Sequence, residues 1–335
     1  MAPYRVRALS LDDLPALVEL LRKAGEIDQD DAVPSLDELK RNLGVPGYRL
    51  EYCYVATADQ GDEDDPAERG GGGELVGFCG AFDLDSGGKA SGAGAVHPNH
   101  RRKGLGTWLV ALADDACRER HSHLPEDEPV YILRTARPGV GGVEELLTAE
   151  GYRPVRRHFA MSLPLDRPMP ATEFPEGFSP RPFVRERDSR AVYDCLTEAF
   201  RDHWGFTEPI PFEVWEPRTL GDARHDPELW LVAVHDNEVA GACLGVGFSA
   251  DLPQRGWVAS LGVRRPWRRR GLADALLRQS FHVFQKKGFT EVGLGVDAEN
   301  RTGAVALYTR AGMSPVKDFV SYRKALRGRE DLIKD

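Results

Sequence analysis

Residues 258–277 read Val-Ala-Ser-Leu-Gly-Val-Arg-Arg-Pro-Trp-Arg-Arg-Arg-Gly-Leu-Ala-Asp-Ala-Leu-Leu, and their order has a chemical meaning. The apolar run 258–263 suits a buried strand. A basic turn follows, and then Gly271 opens a segment with Leu272, Ala273, Leu276, Leu277, Phe281 and Phe284 at helical spacing. The free N–H groups at a helix start and the positive end of its dipole together favour an anion. Gly271 lets the backbone approach a ligand closely, Ala273 keeps the next turn small, and Arg268, Arg269 and Arg270 add charge. The turn is therefore a candidate seat for a phosphate-type anion. Downstream, residues 291–296 suit another strand, followed by Asn300 and, on a helical segment ending near Gly312, Tyr308. A phenol with an ordinary pKa of about 10 keeps its proton at neutral pH and can act as an acid.

The spacing Arg268-x-x-Gly271-x-Ala273 resembles the Q/R-x-x-G-x-G/A signature of the GNAT superfamily of N-acetyltransferases, and Asn300-x7-Tyr308-x3-Gly312-Met313 resembles the pattern that follows it there. The resemblance implies acetyl-CoA as co-substrate, with its pyrophosphate on Arg268, Arg269, Arg270, Gly271, Leu272 and Ala273. It implies that the backbone of Leu261, Gly262 and Val263 pairs with pantetheine and offers an N–H to the thioester carbonyl. It also implies that Asn300 faces pantetheine and that Tyr308 protonates the leaving thiolate. The reaction would be direct attack of an amine on the thioester. The acceptor would be a small molecule or peptide amine.

No general base stands out. Many family members carry a glutamate on the strand of Leu261 or the one before it, whereas residues 256–260 and 239–248 contain no carboxylate. Asp202, His203, Glu208 and Glu213 lie in the loop and helix that should overhang the acceptor, and His203-Trp204-Gly205-Phe206 could line its pocket.

The same theme occurs earlier. Val96-His-Pro-Asn-His-Arg101-Arg-Lys-Gly104-Leu-Gly106 aligns with the run from Val263 to Ala273 without a gap, and Gly151-Tyr152-Arg153-Pro154 parallels Gly312-Met313-Ser314-Pro315. The chain is an internal duplication. In the first copy Ala95, Val96, Arg101, Arg102, Lys103, Gly104 and Gly106 repeat the anion turn, but Leu147 and Gly139 stand where the second copy has Tyr308 and Asn300. The first copy should thus be inactive, with acetyl-CoA binding there left open. The tandem layout with a degenerate first copy resembles GNAT enzymes that acetylate a cysteinyl pseudodisaccharide. A non-catalytic acetyl-CoA sensor is the alternative of another class.

Strands mixed with helices imply an α+β fold: two tandem GNAT-like domains, each a mixed, mostly antiparallel sheet flanked by helices. The partition is residues 1–163, a proline-rich linker 164–175, and residues 176–335. A length of 335 residues suits two domains. The acidic and then glycine-rich stretch 59–73 reads as a mobile hairpin insertion. The net charge of −9 argues against nucleic acid or an anionic membrane as partner. The amino terminus lacks the apolar core of a secretory signal and no uncharged stretch reaches the length of a membrane span, which together read as a cytoplasmic protein. Its 5 cysteines are scattered, as reduced packing residues would be, and no cluster suggests a metal site. The assembly would be a monomer or homodimer.

Overall fold

The computed structural model describes residues 4–30, 33–43, 49–58, 74–83, 87–206, 208–221, 224–249, 252–300, 302–328 and 333. The stretch 59–73, read above as a hairpin insertion, lies outside them. The chain forms two compact units, Met1–Arg156 with Phe319–Lys334, and Arg157–Asp318.

In the first unit β1 (Tyr4–Ala8), α1 (Leu14–Asp28), α2 (Leu36–Leu43), β2 (Cys53–Ala58), β3 (Leu75–Asp83), β4 (Lys89–Val96), α3 (Leu105–Arg120), β5 (Val130–Ala136) and α4 (Val143–Ala149) follow one another. Helix α2 starts at a capping box: Ser35 N–H donates to Glu38 at 2.9 Å and the Ser35 hydroxyl accepts from the Glu38 N–H at 3.3 Å. β6 (Arg153–Pro164) then carries the chain into the second unit. There, β7 (Ser179–Pro182), α5 (Arg185–Phe200), α6 (Phe212–Leu220), β8 (His225–His235), β9 (Glu238–Ser249), β10 (Leu252–Val263), α7 (Leu272–Lys286), β11 (Glu291–Asp297) and α8 (Ala304–Arg310) repeat the order, and β12 (Ser314–Arg327) ends it. The strand order is β1-β2-β3-β4-β5-β12 in one unit and β7-β8-β9-β10-β11-β6 in the other. The pairs β4/β5 and β10/β11 are parallel and the other described pairs antiparallel. Each is a mixed, mostly antiparallel sheet with flanking helices, an α+β fold.

The units divide at 156/157 and 318/319, not at the 163 and 176 of the sequence-based partition. The strand after the first copy's last helix completes the second sheet, and the strand after the second copy's last helix completes the first. Segment 164–175, read as a linker, lies along α7: Met169 N–H donates to Gln285 at 2.8 Å and Thr172 N–H to Gln279 at 2.9 Å.

Side chains at matching positions account for the choice of strand. In the first unit Asp114 of α3 is 1% exposed. It accepts from the Tyr152 hydroxyl at 2.5 Å, pairs with Lys324 of β12 at 2.7 Å and with Arg134 of β5 at 3.4 Å. Burial keeps the Tyr152 phenol protonated well above its ordinary range. In the second unit the matching positions of α7, β11 and β6 are Phe281, Leu294 and Leu163, with Met313 in the place of Tyr152, and all four are buried. Lys324 stands opposite Ile132, as Leu163 stands opposite Val292. Strands left in their own copies would set Leu163 beside Asp114, which would lose its lysine partner, and Lys324 against the buried Phe281, a charge in an apolar setting without a partner, which costs several kcal/mol.

Two substitutions test this account by urea denaturation. Asp114→Ala strands the buried Arg134 and should cost about 3–5 kcal/mol. Lys324→Met leaves Asp114 its other two partners and should cost clearly less, about 1–2 kcal/mol.

Candidate active site

β10 and β11 share rungs only at Arg255↔Glu291, Gly256↔Val292 and Trp257↔Gly293. Both continue, β10 to Val263 and β11 to Asp297, without further rungs. A wedge opens between them, and Ala259 and Gly295, interior positions of their strands, are exposed in it. On its other edge β10 stays paired with β9 through a bulge between Val258 and Ser260, so that Leu261, Gly262 and Val263 face Cys243, Ala242 and Gly241. Beyond Trp257, the β10 edge toward β11 therefore presents backbone N–H and C=O groups with no strand to satisfy them.

The two faces of the wedge differ. A Cβ on Gly256 would meet Phe284 of α7 at 2.5 Å, which assigns Gly256 to the α7 face. Past the bulge Leu261 and Val263 share that face, and Gly262, whose Cβ would meet Leu196 of α5 at 2.8 Å, takes the opposite one. On the α7 face lies Tyr308, half-buried and within electrostatic reach of Cys243, the ladder partner of Leu261. Burial pushes its phenol up to about 12, and the Cys243 thiol adds to the rise. The hydroxyl has no hydrogen-bond partner among the described residues, so a protonated donor is available there. Cys243, pushed up to about 12 by burial, stays a thiol. Asn300 accepts through Oδ1 from the Thr302 N–H at 2.8 Å and holds the turn into α8, which leaves its carboxamide N–H groups for a ligand.

At the mouth, Gly271 has φ 80° and caps α7 without a side-chain acceptor, so the N–H groups of the first turn, from Leu272 and Ala273 onward, point out. The arginines divide into two sets. Arg268 donates to Val263 O at 3.0 Å and Ala199 O at 3.0 Å and pairs with Asp202 at 3.1 Å; it braces the turn against α5. Arg264 and Arg265 are likewise paired, with Glu198 and Asp202 at 2.7 and 2.6 Å. Arg269 and Arg270 are exposed and make no hydrogen bond or ion pair among the described residues. They are the two guanidiniums that can turn to an anion.

The first unit repeats the scaffold. β4 carries Ala95 and Val96 opposite Phe78 and Gly77, and Arg101 donates to Val96 O at 3.1 Å and pairs with Asp28 of α1 at 2.7 Å. Gly104 has φ 83°, and Gly106 packs in the first turn of α3. Lys103 is exposed. Arg102, however, lies so close over Gly142 at the start of α4 that a Cβ there would stand 2.3 Å from it; a Cβ on Gly303, the matching glycine of α8, would meet no described residue within 4 Å beyond its chain neighbours. Leu147, buried in the core, occupies the place of Tyr308.

On the α5 face the structure adds residues that the sequence did not single out. The Trp257 indole lies on Gly293, where a Cβ would stand 2.7 Å from the ring, and it reaches toward Gly295. Asp297 ends β11 directly opposite His158 of β6. His158 faces Trp204 with ring centroids 6.1 Å apart, and His203 packs edge-on against Phe200 at 4.5 Å. Of the base candidates, Asp202 is held by Arg265 and Arg268, and Glu208 and Glu213 are exposed. Among the described residues no group of three or more His, Cys, Asp or Glu could hold a metal ion, and no helix is long and apolar enough to cross a membrane.

Known proteins share this architecture. The chain is 36% identical to a GCN5-related N-acetyltransferase from Sphaerobacter thermophilus, whose crystal structure superposes with a TM-score of 0.78 over 98% of both chains. It is 27% identical to the mycothiol acetyltransferase of Salinispora arenicola over 96% of each chain. A tandem GNAT protein from the clavulanic acid biosynthesis pathway, 18% identical, shares the fold with a TM-score of 0.72 over 98% of this chain and all of that one. The model of the acetyltransferase (GNAT) family matches residues 36–127 and again 189–313, one span in each copy. The chain thus belongs to the GNAT family of acetyltransferases, enzymes that use acetyl-CoA or another acyl-CoA as co-substrate.

Proposed function

We propose that the second copy is the catalytic one and that it transfers an acetyl group from acetyl-CoA to the amine of a small molecule or peptide. The observation that carries this reading is the Tyr308 phenol, protonated and without a hydrogen-bond partner among the described residues, beside an open wedge, against the buried Leu147 of the first copy. The unpaired edge of β10 at Leu261, Gly262 and Val263 suits an extended ligand with amide groups such as pantetheine, because strand-like pairing would satisfy its N–H and C=O groups. The outward N–H groups after Gly271, with Arg269 and Arg270, suit the pyrophosphate. In the reaction the amine nitrogen bonds to the acyl carbon as the C–S bond breaks, Tyr308 gives its proton to sulfur, and the proton shed by the nitrogen as it becomes an amide restores the phenol through solvent. A second reading is narrower: acetylation of a cysteinyl pseudodisaccharide, favoured by the nearly full-length likeness to a mycothiol acetyltransferase.

Release of CoA thiol in the presence of amines tests the reading. Tyr308→Phe should lower kcat about a hundredfold or more. Its acetyl-CoA affinity should stay within about threefold and its stability within about 0.5 kcal/mol, because the hydroxyl removed bonds to none of the described residues. Wild-type turnover should show no loss from Tyr308 ionisation below about pH 11, since the phenol gives up its proton only near 12.

The arginines should separate by role. Arg269→Ala and Arg270→Ala should each weaken acetyl-CoA binding about 5- to 10-fold by calorimetry, an effect shrinking in high salt, with little change in melting temperature. Arg268→Ala should instead lower the melting temperature, because it removes the brace between the turn and α5.

A further inference from the structure

We propose that Trp257 sets the length of the acyl group that the second copy accepts, its indole closing the wedge at about the size of an acetyl group. The inference rests on the acetyltransferase reading of that copy and concerns the acyl end of the co-substrate, not the amine. Three observations bound the space. Straight ahead of a ligand lying along β10, the rung Trp257↔Gly293 closes the sheet. On the α7 face Phe284, 0% exposed, fills the place beside Gly256, where a Cβ would stand 2.5 Å from its ring. The α5 face is left, over Gly293 and Gly295, and there the indole lies: Cβ atoms on these glycines would stand 2.7 and 3.8 Å from its six-membered ring.

The indole is held in that place. Phe248 packs against it with ring centroids 5.3 Å apart, and the Arg255 guanidinium lies over Phe248, 4.4 Å from the ring centroid. In front of the indole the space is open, because Gly295 and Ala259, on the two walls of the wedge, are both exposed. The ring is thus an end wall with small residues before it, and it leaves the length of the wedge free for a ligand.

Lengths decide where the acyl group falls. Arg268 donates to Val263 O at 3.0 Å, so the anion turn stands at the Val263 end of β10. The stretch from Val263 back to Trp257 contains one bulge and spans roughly 16 Å at about 3.3 Å per paired residue. The arm of CoA from phosphate to sulfur is about twelve bonds, roughly 14 Å when extended, since three backbone bonds span about 3.6 Å. Sulfur therefore stops roughly 2–3 Å short of the indole, which is about the reach of a carbonyl carbon and one methyl. Each further methylene adds about 1.2 Å and must displace the ring or lift the arm off the β10 edge. One methylene too many in a closed pocket costs about 10- to 200-fold in discrimination.

Calorimetry on the full chain with CoA, acetyl-CoA, propionyl-CoA and butyryl-CoA tests this without an amine, at the site that Arg270→Ala weakens. In the wild type, affinity should fall about tenfold or more from acetyl-CoA to butyryl-CoA. Trp257→Ala should bring butyryl-CoA to within about threefold of acetyl-CoA while CoA itself binds as before. Trp257→Leu, which keeps an apolar side chain over Gly293, should give an intermediate ratio and serves if the alanine variant does not fold. Gly295→Ala should act in the opposite sense: its methyl would meet the ring at 3.8 Å, a normal contact, and should extend the penalty to propionyl-CoA.

A role for Trp257 in the fold alone would make the variants weaken all four ligands alike, and a role in holding the amine alone would leave all four unchanged. Either result, or a wild type that binds butyryl-CoA as tightly as acetyl-CoA, overturns the assignment of Trp257 and leaves the acetyltransferase reading standing. Binding of none of the four, or binding that Arg270→Ala does not touch, overturns the acetyltransferase reading of the second copy, and the assignment falls with it.

Discussion

Parallel pairing between β10 and β11 that stops after three rungs is the constraint on which the second unit's site depends. Unpaired backbone inside a sheet is costly, so something must keep the strands from closing. The bulge between Val258 and Ser260 turns β10 out of the plane in which it could meet β11, and Trp257, seated on Gly293, fills the point where the strands part. Gly293 is required there, since any Cβ would strike the indole. The wedge is a slot with strand chemistry along one wall, able to pair with an extended amide ligand without a rearrangement of the sheet.

Around that slot the charges are arranged so that most arginines do not reach it. Arg264, Arg265 and Arg268 face carboxylates or carbonyls of α5 and its following loop, and the first copy repeats the brace with Arg101, Val96 O and Asp28. The turn is stiffened by one set of guanidiniums and left two others for an anion. The copies diverge elsewhere. One buries the Asp114, Arg134, Tyr152 and Lys324 network where the other buries Phe281, Leu294, Met313 and Leu163. Two nearly equivalent edge strands in one chain need a means of discrimination, and a buried carboxylate that accepts only the lysine-bearing strand supplies it.

What was legible in the sequence was local. The Ser35 capping box, the Gly271 turn and the helix carrying Tyr308 lie within a few residues of their own signals, and the duplication showed as a gapless alignment of the two turns. Strand ownership was not legible, because Leu163 and Lys324 acquire their partners only through pairings with Val292 and Ile132 far along the chain. For the same reason the linker reading of 164–175 did not foresee the hydrogen bonds to Gln279 and Gln285, although its prolines were plain. Helix α5 begins at Arg185, where Asp188 of its first turn reaches back to the Val184 N–H at 2.8 Å and to Arg181. Nor could spacing show that Arg268 faces Val263 O and Ala199 O, or that Asp297 stands across the sheet from His158 of β6.

A single physical cause acts on Tyr308 and His203 in opposite directions. Burial disfavours whichever form is charged, so it raises the Tyr308 phenol and lowers the His203 imidazole. Both are neutral at pH 7, the phenol holding a proton to give and the imidazole lacking one it can take.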